Sequence, residues 1–150
     1  MTDQRKMLFE IFDHDDKFGI ESIWVTPRSE SLYEVHNVPF YARGVAFLDV
    51  VSGTMRGDEL VFVRVEEPSG NSTVRVAMFD MSSRKSVCDG LNALGCDVEI
   101  SHRPNLMAVD VPKSADWNEV RKHLDSLAMQ GLLDYEEAVI SAYHLQREPR

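Results

Sequence analysis

Apolar and polar residues alternate in short runs over the first half of the chain and recur at helical spacing only in the second half, with the change near Gly70. Before Gly70 the runs "KMLFEIF", "ESIWVT", "SLYEV", "FLDVV" and "LVFVRV" are separated by turn-forming stretches, among them "DHDDKFG" and "RGDE". Short alternating runs punctuated by Gly, Asp, Asn and Pro read as strands and hairpins. In "LVFVRVEE" strict alternation predicts that Val61, Val63 and Val65 share one face and Phe62, Arg64 and Glu66 the other. Residues 1–70 therefore predict a small, curved, barrel-like antiparallel β subdomain.

After Gly70, "STVRVAMF" is a strand with Val74, Val76 and Met78 on one side. The next segment places Val87, Cys88, Leu91 and Leu94 at helical spacing, and Gly95 stands where a C-terminal cap belongs. "DVEI" and "LMAVDV" follow as strands. A second helix carries Trp117, Val120, Leu124, Leu127 and Ala128 on its apolar stripe, with Asp116 as N-cap and Glu119 three residues on. "LLDYEEAVI" is a last strand. The order β-α-β-β-α-β over residues 71–140 predicts a ferredoxin-like unit, so the whole is α+β. In that arrangement the last strand is a sheet edge, and residues 141–150 read as a polar C-terminal tail.

Composition narrows the partners. With 43% hydrophobic residues in 150 the chain can build a core, and its net charge of −9 disfavours a phosphate backbone or an anionic membrane surface as a ligand. No nucleic acid and no membrane are expected, and a basic protein is the better electrostatic match. "MTDQRKMLFEIF" carries no apolar run of signal-peptide length, which predicts a cytoplasmic protein in which Cys88 and Cys96 stay reduced.

Candidate chemistry is sparse. "DHDDKFG" spaces Asp13 and Asp15 like the first ligands of a calcium loop, but Phe18 and Trp24 occupy the positions of its invariant Gly and bidentate Glu, so a hairpin turn is expected. "RGDE" at 56–59 reads as a second tight turn. The five histidines and two cysteines show no zinc-ligand spacing. Ser82 and Ser83 follow a strand without the glycines of a nucleophile elbow, and they read as helix caps. No catalytic residue, metal or cofactor is expected. What remains is the acidic stretch Asp134, Tyr135, Glu136 and Glu137 on the last strand. Charges there keep sheets from pairing edge to edge, and they also suit a basic partner anchored by Tyr135.

The runs "IWVTPRSESLYEVHNVPFYARGVAFLDVV", "FVRVEEPSGNSTVRV", "LGCDVEI", "LMAVDVP" and "LLDYEEAVI" together resemble a bacterial family known as a domain of unknown function, numbered four-two-six-five, over roughly residues 6–140. The resemblance implies a bacterial cytosolic protein and carries no activity and no catalytic residue with it. Within it, "NVPFYARG" (37–44) has a Pro that fixes one backbone angle, a Phe available for burial and a Gly that permits a turn, as a structural crossover needs. Tyr41 and Arg43 are its members with ligand-facing chemistry. The expected function is that of a non-enzymatic acidic binding protein of the immunity or antitoxin kind, with Asp134, Tyr135, Glu136, Glu137, Tyr41 and Arg43 as binding residues. The alternative is a small-molecule-sensing domain that uses a cleft between the two halves.

Overall fold

The computed structural model describes residues 3–13 and 16–147. The protein is α+β; among the described residues there are a five-stranded and a four-stranded sheet and three α-helices, and the chain divides into two compact units at Ser69/Gly70.

The first unit holds β1 (Arg5–Asp13), β2 (Asp16–Ser29), β3 (Leu32–Val35), β4 (Val50–Arg56) and β5 (Glu59–Glu67). Each pairs antiparallel with the next, and β5 returns to β1, so the pairings close on themselves. The closing pair is parallel, Met7 against Leu60 and Leu8 against Val61. Met7, Phe9, Ile23, Val25, Val35, Val51 and Leu60 fill the interior, and the Phe9 and Phe62 rings stack at 4.5 Å. The tip of "DHDDKFG", His14 and Asp15, lies outside the described residues. "RGDE" is a tight turn, with Arg56 opposite Glu59 and Gly57 at φ 65°.

Two expectations for this unit need correction. The core side of β5 carries Leu60, Phe62 and Val65, while Val63 is 45% exposed. Gly53 opposes Phe62 and Ser52 opposes Arg64, so Val63 is the extra residue of a bulge. An inserted residue moves everything beyond it to the other face, which strict alternation cannot foresee. "FLDVV" enters its strand only at Val50. Asp49 just before it is buried and accepts hydrogen bonds from the N–H groups of Ala46 (2.9 Å) and Ser69 (2.8 Å), which fixes irregular backbone there.

The second unit holds β6 (Ser72–Met78), α1 (Arg84–Ala93), β7 (Asp97–Ile100), β8 (Leu106–Val111), α2 (Trp117–Met129), β9 (Leu133–Val139) and α3 (Ala142–Leu145). The sheet is antiparallel throughout, in the order β7-β8-β6-β9. Val74, Val76, Met107, Val109 and Leu133 from the sheet pack with Val87 and Leu91 of α1 and Trp117, Val120 and Leu124 of α2 in one core. The cap of α2 is Asp116, whose side chain accepts from Asn118 and Glu119 N–H. Before α1 the capping falls instead to Asp80, which accepts from Ser82 and Ser83 and starts a short 3-10 turn.

Of residues 141–150, expected as a polar tail, 148–150 lie outside the described residues, and 141–147 are docked. Ser141 caps α3, and His144 is buried on it. His144 Nε2–H donates to the Pro112 carbonyl (3.1 Å), so Nδ1 is left to accept from the Ser72 hydroxyl (2.6 Å), and Ser72 Oγ in turn accepts from Ser141 N–H (2.9 Å). Ser141 and His144 are satisfied in the interior by Ser72 and the Pro112 carbonyl, where composition alone had suggested solvent.

Candidate functional site

β9 is an outer strand of its sheet, paired to β6, and Asp134, Glu136 and Glu137 are exposed along it. The four residues singled out there do different things. Tyr135 faces the helices, packs against the core and donates its hydroxyl to Asp125 of α2. Burial first, and then that carboxylate, raise the phenol above its ordinary range, so it is a neutral donor. Glu136 accepts from Arg75 Nε at 2.9 Å, and the Arg75 side chain is only 5% exposed while that of Glu136 is 52% exposed. The Asp134 carboxylate accepts from Tyr135 N–H. Asp134 and Glu137 are thus the edge carboxylates with the fewest structural duties.

Tyr41 and Arg43 lie in the other unit, on the connection between β3 and its neighbour β4. The backbone N–H groups of Phe40 (2.7 Å), Tyr41 (3.0 Å) and Ala42 (2.8 Å) all donate to the carboxylate of Glu21 on β2. Asn37 Oδ1 accepts from Trp24 N–H of the same strand at 2.7 Å. Val38, Ala42, Val45 and Ala46 are buried. The loop is therefore a structural crossover wrapped around one carboxylate, and it presents Tyr41 and Arg43 to a pocket of about 210 Å³ shared with Glu10, Ile11 and Phe12.

Two histidines meet hydroxyl groups. In the first unit His36 Nε2 bonds Glu34 Oε1 (2.8 Å) and Nδ1 faces Thr26 Oγ1 (3.1 Å). The His36 bond, helped by Arg28, holds the Glu34 carboxyl below its ordinary range. In the second unit Ser72 and His144 form the contact described above. Both have the order hydroxyl, imidazole, orienting oxygen that activates a nucleophile. Ser72, however, is fully buried and accepts from Ser141, so its hydroxyl works as a structural tie. Burial pushes the Cys96 thiol up to about 12, with Asp110 and Asp97 adding to the effect, and it also raises Cys88, so neither is a ready nucleophile at neutral pH. Among the described residues no three His, Cys, Asp or Glu side chains gather to hold a metal ion, and no helix is long and apolar enough to cross a membrane.

With this geometry in hand the comparisons with known proteins are decisive for family and silent on activity. Residues 21–135 match the family described as Domain of unknown function (DUF4265). The chain belongs to this family. A solved structure titled a novel crystal structure of a hypothetical protein from Neisseria gonorrhoeae superimposes with a TM-score of 0.81 at 17% identity, covering 94% of this chain and 96% of that one. At that identity the likeness concerns the fold. No curated protein matches the chain.

Sequence reading missed Glu21, Thr26, Asp49, Ser72, Asp110 and His144, whose partners lie far along the chain or on backbone. Lone carboxylates near strand ends were the available signal, and nothing in spacing joins Glu21 to residues 40–42 or Ser72 to His144.

Proposed function

We propose that the protein is a non-enzymatic, cytoplasmic binding protein of the immunity or antitoxin kind, whose acidic sheet edge docks a basic protein partner. The observation that carries this reading is the place of β9: an outer strand showing Asp134, Glu136 and Glu137 to solvent in a chain of net charge −9. An outer strand offers a row of backbone donors and acceptors, so a partner strand with basic side chains gains main-chain hydrogen bonds and charge complementarity together. In fold terms, the order β7-β8-β6-β9 with two crossover helices supports a ferredoxin-like unit, and the closing β5–β1 pair supports a barrel-like first unit.

The test is affinity capture from the native bacterial host with wild-type protein and with the Asp134→Lys/Glu137→Lys double variant as baits. A basic protein retained by the first and lost by the second supports the reading. Recovery of the same protein by both baits, or of acidic proteins alone, overturns it.

A second reading, small-molecule sensing, is favoured by the pocket that Tyr41 and Arg43 share with Glu10, Ile11 and Phe12. It rests on the first unit alone.

A further inference from the structure

The start of α2 and the docked α3 segment enclose a pocket of about 260 Å³, lined by Lys113, Asp116, Asn118, Tyr143 and Arg147 among others. Its charges are arranged and held. Lys113 Nζ stands 4.8 Å from the Tyr143 ring centroid and the Arg147 guanidinium carbon 3.6 Å from the same centroid. The aliphatic stem of Lys113 runs across Gly70, where a Cβ would come within 2.7 Å of Lys113 Cδ, and Lys113 N–H donates to Asn71 Oδ1 at 2.9 Å. Arg147 donates from Nη1 to the Tyr143 carbonyl (3.2 Å), and its own carbonyl accepts from Asn118 Nδ2 (2.8 Å). Behind them His144 is pinned at both ring nitrogens.

Two cations on one aromatic ring lie within about one Debye length of each other and repel, and an anion shared between them relieves that repulsion. The chain as a whole is acidic, which makes this pairing a local exception. A bare anion is a poor complement, because Asp116 lies in the same pocket. That carboxylate takes both of its helix-capping bonds on Oδ1, from Asn118 N–H (3.0 Å) and Glu119 N–H (3.3 Å), which leaves its second oxygen as an acceptor. Two positive groups and one negative group around a small cavity match a molecule that carries a carboxylate and an ammonium close together.

We propose that this pocket binds a free α-amino acid. The ligand carboxylate sits between Lys113 and Arg147, and its ammonium meets Asp116. Because the cations are already fixed on Tyr143, little ordering is left to oppose binding. This goes beyond the docking role of β9 and depends on different residues.

The experiment is a thermal-shift and calorimetric titration of the full chain with each of the twenty amino acids at millimolar concentration. The best binder is then repeated as its N-acetyl and carboxamide derivatives, with inorganic phosphate as the bare anion. The expected result is saturable binding of at least one amino acid. Affinity should fall tenfold or more for both derivatives, and by as much in the Lys113→Met and Arg147→Met variants, whose far-UV circular dichroism should be unchanged. Should a variant fail to fold, Lys113→Gln and Arg147→Gln remove the charge while keeping a polar side chain at each position, and weakened binding is again expected. The proposal is overturned if no amino acid binds saturably, if the N-acetyl derivative or phosphate binds as well as the amino acid, or if the soluble variants bind like wild type.

Discussion

The carboxylate of Glu21 lies 2.8 Å from the backbone N–H of Ala42, twenty-one residues away, and the same carboxylate takes the N–H groups of Phe40 and Tyr41. A single side chain on β2 therefore supplies the acceptor for three consecutive donors that no strand or helix satisfies. This contact gives the 37–44 loop its shape and aims Tyr41 and Arg43.

Removing that acceptor should loosen the loop. Glu21→Ala removes the acceptor that these three partly buried N–H groups share, and about 2–3 kcal/mol of stability should be lost. Urea denaturation gives the magnitude, and hydrogen exchange at residues 40–42 should accelerate more than in the β-strands. Unchanged exchange there would show that other groups hold the loop.

The core of the second unit gives the plainest expectation. Leu124 is fully buried with Trp117 and Leu91 between helices and sheet, so Leu124→Ala should cost about 2–5 kcal/mol. A loss under about half a kilocalorie in chemical denaturation would put Leu124 at the surface.

Leu124, Leu91 and Trp117 were readable as core because a helix repeats its apolar face at a fixed spacing, and the succession of strands and helices along the chain followed from the change of period. Val63 was misread because a bulge between β4 and β5 shifts the alternation, and the shift is set by the partner strand rather than by local residues. His144 was misread for a related reason: its burial depends on Ser72 and Pro112, and polar residues that satisfy each other through space look like solvent-facing ones in a list. For the candidate surfaces, the chemistry of Tyr41, Arg43 and the 134–137 stretch was visible, while the commitments of Tyr135 to Asp125 and of Glu136 to Arg75 were not.

Asp110 and His144 should give stability opposing dependences on pH. Asp110 is buried, and desolvation first, then Asp97 and Glu99, push its carboxyl up to about 7 against a weaker pull from the Asn71 amide. Its ordinary value is about 3.9, so between about pH 4 and 7 the folded state holds a proton that the unfolded chain releases. Stability must then fall as pH rises through that window, by at most about 1.4 kcal/mol per unit. His144 is shifted the other way, since burial lowers it despite the Pro112 carbonyl. The unfolded chain takes up a proton at this residue below about pH 6.5, so its contribution is lost on acidification. Asp110→Asn should therefore turn the slope between pH 5 and 6.5 positive and raise stability at pH 8, as read from urea midpoints across pH. A slope unchanged by the substitution would mean that Asp110 titrates normally.

The edge carboxylates should separate by role when each is reversed. Glu136→Lys sets a cation against Arg75, whose side chain is almost wholly buried while that of Glu136 is half exposed, so it should destabilise the fold by about 1–3 kcal/mol. Asp134→Lys and Glu137→Lys act on exposed groups, so each should change stability by less than about 1 kcal/mol. Tyr135→Phe should cost about 1 kcal/mol through the lost bond to Asp125, and Tyr135→Ala more, because the ring packs against the core. The consequence for binding is specific. If β9 docks a basic partner, Asp134→Lys and Glu137→Lys should slow association and flatten its salt dependence while folding is unaffected, since surface charges act mainly through steering. Stopped-flow association at two salt concentrations, set beside denaturation of the same variants, separates the two effects. Association that slows only in the variants that also lose stability would assign the whole edge to folding and leave the Tyr41 and Arg43 pocket as the surface to probe.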